Sequence, residues 1–167
     1  YHPETLSSIP CSEQINALIN ALKEFDYPII FTSSNVDNGG KEINSIIIKA
    51  CQSKSNFHFC PSLGHRRYLS LMKEASLVIG NSSSGIIEAP VFNVATLNIG
   101  ERQSGRFKYN SVVDCHLNSY KINNAIKKIL LKKNTFFKNK ISKKNTSFFI
   151  LKNIKKRLFK NNFQYKK

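Results

Sequence analysis

Hydrophobic residues follow two alternating patterns between residues 12 and 132. Apolar side chains at helical spacing, as at Ile15, Leu18 and Leu22, predict a first helix that Ser12 can cap. Short apolar runs without polar alternation predict buried strands. The predicted helices span residues 12–22, 39–50, 66–75, 84–89 (stopped by Pro90) and 122–131, and the predicted strands span residues 27–31, 56–60, 77–80, 95–99 and 111–113.

Helices that alternate with short, continuously apolar strands indicate a parallel sheet with helices on both faces, a Rossmann-like α/β fold. Ligands of such sheets bind beyond the carboxyl ends of the strands. Polar segments that directly follow predicted strands are therefore the first candidates for a site. They are residues 33–38, 64–65, 81–85 and 100–106, and His2-Pro3 would join them if a strand preceded it.

The composition, 41% hydrophobic and 22% charged, is typical of a globular protein, and 167 residues suffice for one good core. No apolar run approaches the roughly 18–20 residues of a membrane-spanning helix, and no signal peptide is visible. The four cysteines form no Cys-x-x-Cys pair, and the four histidines complete no zinc spacing. We therefore expect a cytoplasmic protein without disulfides or metal.

The net charge of +16 lies entirely in the C-terminal third. Residues 1–114 carry ten acidic side chains and ten Lys or Arg, whereas residues 115–167 carry sixteen Lys or Arg and no acid. Such a tail can bind nucleic acid or anionic lipid by counterion release. The simpler interpretation, which we favour, is lysine and asparagine on solvated helix faces, because asparagine is frequent along the whole chain.

The strongest local signal is the sequence Gly-Asn-Ser-Ser-Ser-Gly-Ile-Ile-Glu at residues 80–88, where a strand enters a small, polar turn and then a helix. Free backbone N–H groups at a helix start attract anions, and hydroxyl groups add donors. The segment lacks the Gly-Lys-Ser/Thr of a P-loop. It indicates a phosphate site, although a serine-rich helix cap with nothing bound would have the same sequence.

Charged residues near this turn extend the candidate site. Glu88 can accept the hydroxyls of a ribose, or simply be a favourable acid in the first turn of a helix. Arg102 and Arg106 follow a strand and suit a diphosphate, although loop arginines are common. His2, at a strand end beside anions, is expected to stay protonated and stabilise a leaving phosphate, although a lone histidine more often packs or caps.

Together these segments resemble the C-terminal half of the UDP-N-acetylglucosamine 2-epimerases. The hydrolysing branch, which feeds sialic and related nonulosonic acid synthesis, is the closer match, because the Asp-Ser-Gly-Gly and Arg-Pro-Glu typical of the other branch are absent. The resemblance rests on Tyr1-His2-Pro3, Asn35-Val36-Asp37-Asn38-Gly39, Arg67-Tyr68-Leu69-Ser70-Leu71-Met72, the run from Val78 to Pro90 and the run from Asn98 to Arg106.

The resemblance implies one half of a two-domain fold of the GT-B type. Residues 1–132 would be its nucleotide-binding domain, and residues 133–167 a basic tail with a closing helix, indicated by Ile150, Ile154 and Leu158. It also implies UDP-binding roles for Asn35 in the nucleotide pocket, Ser82, Ser83, Arg102 and Arg106 near the diphosphate and Glu88 on the ribose, with His2 as the catalytic residue beside the leaving UDP.

The reaction implied is elimination of UDP across C1–C2 of the sugar, followed by addition of water to give N-acetylmannosamine. The family takes its catalytic carboxylates from the N-terminal half, so this chain alone is expected to be inactive. The resemblance implies a homo-oligomer and neither metal nor nicotinamide. Which UDP-sugar is used, the N-acetylglucosamine compound or a diacetamido-trideoxy relative, stays open.

Two alternatives remain from the sequence. A GT-B glycosyltransferase domain would share the architecture and differ in the half that faces the sugar. A basic nucleic-acid-binding module would show steeply salt-dependent binding by residues 115–167 and none by residues 1–114.

Overall fold

The computed structural model describes residues 1–132, 139 and 146–160. Its helices are α1 (Cys11–Leu22), α2 (Gly40–Ser53), α3 (Gly64–Glu74), α4 (Ser83–Ile87), α5 (Ser119–Leu131) and α6 (Thr146–Lys160). Its strands are β1 (Ile29–Thr32), β2 (Phe57–Cys60), β3 (Val78–Gly80), β4 (Thr96–Ile99) and β5 (Val112–Cys115). A short 3-10 helix, Ala89–Phe92, follows α4.

All strand pairs in the described residues are parallel, which confirms the predicted α/β class. β1 pairs with β2, and β4 lies between β3 and β5. Within the described part of the chain no hydrogen-bonded pair joins β1 to β3, so the strands form a two-stranded and a three-stranded sheet. Both sheets contribute to one hydrophobic core, because Phe31 and Phe57 belong to the same buried cluster as Leu97 and Ile99.

The core is built from the faces that the periodicity predicts. Helix α1 packs against α2 and α5, and its Ile15 is fully buried, as are Ile43 and Ile47 of α2 and Ile122 of α5. Burying a side chain of this size contributes about 1.5–3 kcal/mol relative to leaving it exposed. This packing holds the strands in place, so that their carboxyl ends present the loops of the candidate site.

Two predicted helix boundaries are wrong. Ser12 lies inside α1, whose N-cap is Pro10, and no side chain caps that helix. Pro90 does not stop α4, which already ends at Ile87; it lies in the first turn of the 3-10 helix. A proline is tolerated there because its missing N–H would have no partner in the first turn.

A helix, α6, is present where the closing helix is predicted, and its Ile150, Ile154 and Leu158 are exposed, so its closing role stays a prediction. Residues 133–138, 140–145 and 161–167 lie outside the described residues, so the division at residue 132 stays a prediction. None of the helices described is long and apolar enough to cross a membrane.

Candidate functional site

Residues from four separate segments meet at the carboxyl ends of the strands. They come from the first residues of the chain and from the loops that follow β1, β3 and β4. Asn81, directly after β3, is fully buried and lies at the centre of these contacts. The convergence agrees with the expectation that parallel strands bring their C-terminal loops to one edge.

Two hydrogen bonds join the backbone of His2 to the carboxamide of Asn81. The His2 N–H donates to Asn81 Oδ1 at 2.8 Å, and Asn81 Nδ2 donates to the His2 carbonyl oxygen at 2.8 Å. The His2 ring is held separately, because the backbone N–H of Asn35 donates to Nδ1 at 3.0 Å. Since Nδ1 accepts a hydrogen bond, the proton of the neutral ring sits on Nε2.

The surroundings of His2 favour its uncharged form. Burial lowers the pKa of the ring to about 4, and the nearby positive charge of Arg102 acts in the same direction. Asp37 and the hydrogen bond from Asn35 oppose this shift without cancelling it. The fold itself therefore favours a neutral His2, and the expectation of a protonated ring beside a bound anion stays a prediction.

The serine turn after β3 is ordered by a chain of hydroxyl groups. Ser82 is the N-cap of α4, and its Oγ accepts the N–H of Ser84 at 3.4 Å. The hydroxyl oxygens of Ser82 and Ser84 are 3.0 Å apart, and that of Ser84 lies 2.7 Å from the Tyr68 hydroxyl of α3. The helix begins one residue earlier than predicted, and its first N–H groups face the edge where a phosphate is expected.

Helix α4 lies unusually close to β4. Thr96 Oγ1 donates to the carbonyl oxygen of Gly85 at 2.7 Å, and a Cβ on Gly85 would lie 2.8 Å from Thr96 Cγ2. Thr96 is buried, so its methyl group has little room to move. Glycine at this position therefore sets the distance between the serine turn and the sheet.

We expect Gly85→Ala to lower the free energy of unfolding by about 1–3 kcal/mol, as overpacking does in a tight core. Displacement of α4 should also weaken any anion binding at the serine turn. Denaturant unfolding and calorimetric titration with UDP would measure the two effects. The double variant Gly85→Ala/Thr96→Ser removes the contacting methyl group and keeps the hydroxyl, so both properties should recover. No recovery would show that the close contact is not the cause.

Two side chains of the loop after β4 bond to the backbone of Asn81. Arg102 Nη1 and Gln103 Nε2 donate to the Asn81 carbonyl oxygen at 3.1 Å and 2.8 Å. Arg102 is exposed, whereas Gln103 is buried and its Oε1 has no partner in the described structure. The arrangement leaves most of the Arg102 guanidinium free to bind an anion at the carboxyl edge.

The loop after β1 is shaped by close backbone contact. The side chain of Asn35 donates to Asp37, and its Oδ1 is buried without a partner in the described residues. A Cβ on Gly40 would lie 2.0 Å from the carbonyl oxygen of Asn35, so only glycine fits at the start of α2. The Oδ1 of Asn35 is closed off from the surface, so the place of Asn35 in a binding pocket stays a prediction.

Three predicted site residues, Ser83, Glu88 and Arg106, make no described side-chain hydrogen bond to the residues around Asn81. Glu88 is half-buried and lies between α4 and the 3-10 helix, as the C-cap of the first and the N-cap of the second, and not in the first turn of α4. Arg106 is exposed, and only its backbone N–H bonds within its own loop, to Gln103 at 3.4 Å. Within the described residues no side-chain contact links Ser83, Glu88 or Arg106 to His2. Their binding roles stay predictions.

A cavity of about 300 Å³ opens beside the serine turn, at the ends of β1 and β2. It is lined by Thr32, Pro61, Ser62, Leu63, Gly64, His65 and Tyr68. Because Tyr68 also bonds to Ser84, the cavity adjoins the phosphate site that the sequence predicts. Residues 1–132 and 146–160 contain no group of three or more His, Cys, Asp or Glu that could hold a metal ion.

Sequence reasoning missed three residues of this site. Asn81 and Gln103 lie in motifs that the sequence analysis singled out, but their side chains hold neighbouring loops, which a pattern along one segment does not show. Tyr68 lies in the predicted helix 66–75, and the sequence does not show that its hydroxyl bonds to that of Ser84. A tyrosine on a predicted packing face is the one signal available, since a buried hydroxyl needs a partner.

The sequence profile of the UDP-N-acetylglucosamine 2-epimerase family matches residues 1–155. The chain is 41% identical over 120 residues to the GDP/UDP-N,N'-diacetylbacillosamine 2-epimerase (hydrolyzing) of Campylobacter jejuni. The matched segment is 71% of this chain and 31% of that protein. It is 40% identical over 116 residues to the polysialic acid biosynthesis protein P7 of Escherichia coli, covering 68% of this chain and 29% of that protein. The chain thus spans about a third of these relatives.

The fold is similar to that of a solved UDP-GlcNAc 2-epimerase from Methanocaldococcus jannaschii, crystallised in complex with UDP-GlcNAc and UDP. The TM-score is 0.65, the sequence identity is 17%, and the match covers 87% of this chain and 40% of that one. At this identity the likeness concerns the fold. It confirms the architecture predicted from the alternating helices and strands.

Proposed function

The chain belongs to the UDP-N-acetylglucosamine 2-epimerase family, and from this we propose that it is the UDP-binding half of a hydrolysing member. The observation that carries the proposal is the convergence of His2, Arg102 and the serine turn at one sheet edge, around Asn81. These groups present hydrogen-bond donors and a guanidinium, which suit a diphosphate. The 41% identity to a relative named as hydrolysing favours that branch.

We place a second domain ahead of Tyr1, because the relatives are about three times as long as the matched segment. The sheet topology supports this. β1 and β3 are unpaired with each other although they share one core, and His2 is bonded to the residues that follow both strands. A strand that runs into Tyr1 would join the two sheets, and the result would be one half of a GT-B-type fold.

Each predicted residue has a role in this proposal. The N–H groups at the start of α4, with Ser82 and Ser83, hold the diphosphate, and Arg102 and Arg106 neutralise it. Glu88 accepts the ribose hydroxyls. Asn35 lines the nucleotide pocket beside His2, to whose Nδ1 its backbone N–H donates.

In the proposed reaction His2 acts on the leaving group. A carboxylate of the preceding half removes the proton at C2, the C1–O bond breaks, and its electrons leave with UDP, so that a glycal forms. Water then adds across the double bond to give the 2-epimeric reducing sugar. The Nε2–H of neutral His2 donates a hydrogen bond to the departing phosphate oxygen, where negative charge develops.

The whole protein is proposed to be a cytoplasmic homo-oligomer that needs neither metal nor nicotinamide. Its substrate is a UDP-linked N-acetylated sugar, either the N-acetylglucosamine compound or a diacetamido-trideoxy relative. The residues that would tell these sugars apart belong to the preceding half, because that half faces the sugar ring.

The test is to incubate the full-length protein with UDP-N-acetylglucosamine in heavy water and follow proton and phosphorus NMR. We expect free UDP and N-acetylmannosamine carrying deuterium at C2, since solvent supplies the hydrogen that the base removed. Formation of UDP-N-acetylmannosamine would instead indicate the non-hydrolysing reaction. Turnover of only the diacetamido sugar would fix the substrate, and transfer of the sugar to an acceptor would show a glycosyltransferase and overturn the proposal.

A further inference from the structure

Asn81 connects more segments of the site than any predicted binding residue does. Its carboxamide pairs with both the N–H and the carbonyl oxygen of His2, while its own carbonyl oxygen accepts from Arg102 and Gln103. It is fully buried, and its Nδ2 also lies 3.5 Å from Glu4 Oε1. With this geometry its side chain has no open position for a ligand.

We propose that Asn81 is a positioning residue, which fixes the imidazole of His2 and the guanidinium of Arg102 relative to each other at the diphosphate site. The inference rests on the proposed function for the identity of the ligand, and on the hydrogen bonds alone for the positioning. Buried amide side chains with every polar atom bonded hold one geometry, because any movement leaves a polar group unpaired.

The positioning of His2 has two parts. Asn81 fixes the backbone of His2 through two short bonds, and this places the ring so that the Asn35 N–H reaches Nδ1. The Asn35 bond then selects the tautomer with the proton on Nε2. If the backbone of His2 moves, the bond to Nδ1 is lost, and the proton is free to occupy either nitrogen. The tautomer of His2 therefore reports on Asn81.

Asn123 offers a matched control for Asn81. It is a buried asparagine on α5 whose Nδ2 donates to a backbone carbonyl oxygen, that of Ala21 at 3.1 Å, and to a carboxylate, that of Glu24 at 3.0 Å. Asn81 has the same two kinds of partner, a carbonyl oxygen and a nearby glutamate. The two residues differ in location, since Asn123 contacts no residue of the candidate site among those described.

The experiment compares Asn81→Asp and Asn81→Leu with Asn123→Asp and Asn123→Leu in the full-length protein. Asn81→Asp loses the Nδ2 donor and turns an oxygen toward the His2 carbonyl oxygen, whereas Asn81→Leu loses both bonds without adding charge. With ¹⁵N-labelled histidine, the wild-type His2 ring should show an unprotonated Nδ1 and a protonated Nε2. A His2→Gln sample identifies its signals, because they disappear.

Both Asn81 variants should give a mixture of the two His2 tautomers, whereas both Asn123 variants should keep the wild-type signals at a similar loss of thermal stability. The carboxylate that Asn81→Asp introduces would change the pKa of His2 by its charge alone, even if the ring did not move. The tautomer is therefore the quantity to measure, because it reports on the hydrogen bond to Nδ1. Arg102 and Asp37, the charged side chains that face His2, are unchanged in all four variants; Asn81→Asp adds a carboxylate beside His2, whereas Asn81→Leu adds no charge. The Kd for UDP should rise about 10- to 100-fold in the Asn81 variants only.

Identical His2 signals in wild type and Asn81→Leu would overturn the proposal, as would an equal loss of UDP affinity in the Asn81 and Asn123 variants. If both Asn81 variants fail to fold, Gln103→Met removes one donor from the Asn81 carbonyl oxygen without adding charge, and it should shift the tautomer in the same direction by less. If wild type binds no UDP, the proposed function fails, but the tautomer measurement still decides whether Asn81 positions His2.

Discussion

Replacing Arg102 with alanine should raise the Kd of the full-length protein for UDP by about 10- to 150-fold, which corresponds to about 1.5–3 kcal/mol for a lost charged hydrogen bond. One guanidinium nitrogen of Arg102 is anchored on the Asn81 carbonyl oxygen at 3.1 Å. Because this bond already restricts the side chain, less conformational entropy is lost when UDP binds. The rest of the guanidinium is exposed and can bond to the diphosphate. Isothermal titration with UDP measures the effect.

Arg106 and Arg157 provide the comparison for Arg102. Arg106→Ala should weaken binding less, because no described side-chain contact anchors Arg106, although it lies in the same loop. Arg157→Ala, an exposed change on α6, should leave the Kd unchanged. Gln103 stays bonded to Asn81 in all three variants, so the loop should keep its shape. An equal loss for Arg106→Ala and Arg102→Ala would show that only net charge matters, and the anchored geometry would then be irrelevant.

The sequence predicts the elements of this fold well, because the helical period and the short continuous apolar runs are easily told apart. Each predicted helix and strand within residues 12–132 is found, with ends displaced by at most three residues. The displaced ends have local causes. Pro10 begins α1 ahead of Ser12, and Pro90 starts a new 3-10 turn where a stop was expected. Both errors concern prolines, which can begin a helical turn as well as end one.

The candidate site is only partly predictable from sequence. The rule that ligands bind at the carboxyl ends of parallel strands finds the correct loops, because it needs only the strand positions. It does not show which loops touch. Asn81 bonds to residue 2, which is 79 positions away in the chain, and Tyr68 reaches Ser84 across two elements. These contacts depend on strand order and helix packing, which a single sequence does not reveal.

The charge state of His2 is the feature of the site with the largest consequence for the mechanism. A histidine beside a predicted anion site is expected to be positively charged, since the anion would stabilise the proton. Burial, with Arg102 beside the ring, acts in the opposite direction and lowers the pKa to about 4. The Asn35 N–H, which donates to Nδ1, leaves Nε2–H as the only ring donor. The structure therefore indicates a neutral donor, a different role from a fixed cation.

Replacing His2 with alanine should lower kcat by about 100-fold or more with little change in KM, because a proton donor to a leaving group contributes about 10²–10⁴ in rate and acts mainly in the transition state. His2→Gln restores a neutral N–H donor, so it should recover part of the lost rate. Steady-state release of UDP by the full-length protein measures both variants. His58→Ala, an exposed change on β2, is the control and should keep the wild-type rate.

The pH profile distinguishes a neutral donor from a cation. A histidine with a pKa lowered to about 4 is neutral throughout the range from pH 6 to pH 8, so the wild-type rate should not fall with rising pH through loss of a His2 proton. The ratio of the wild-type rate to the His2→Gln rate should then be constant across that range, since both side chains stay uncharged. A ratio that falls as pH rises past about 6.5, the ordinary value for histidine, would show that protonated His2 is the active form. That outcome would mean that the bound diphosphate raises the pKa of His2 by more than burial and Arg102 lower it.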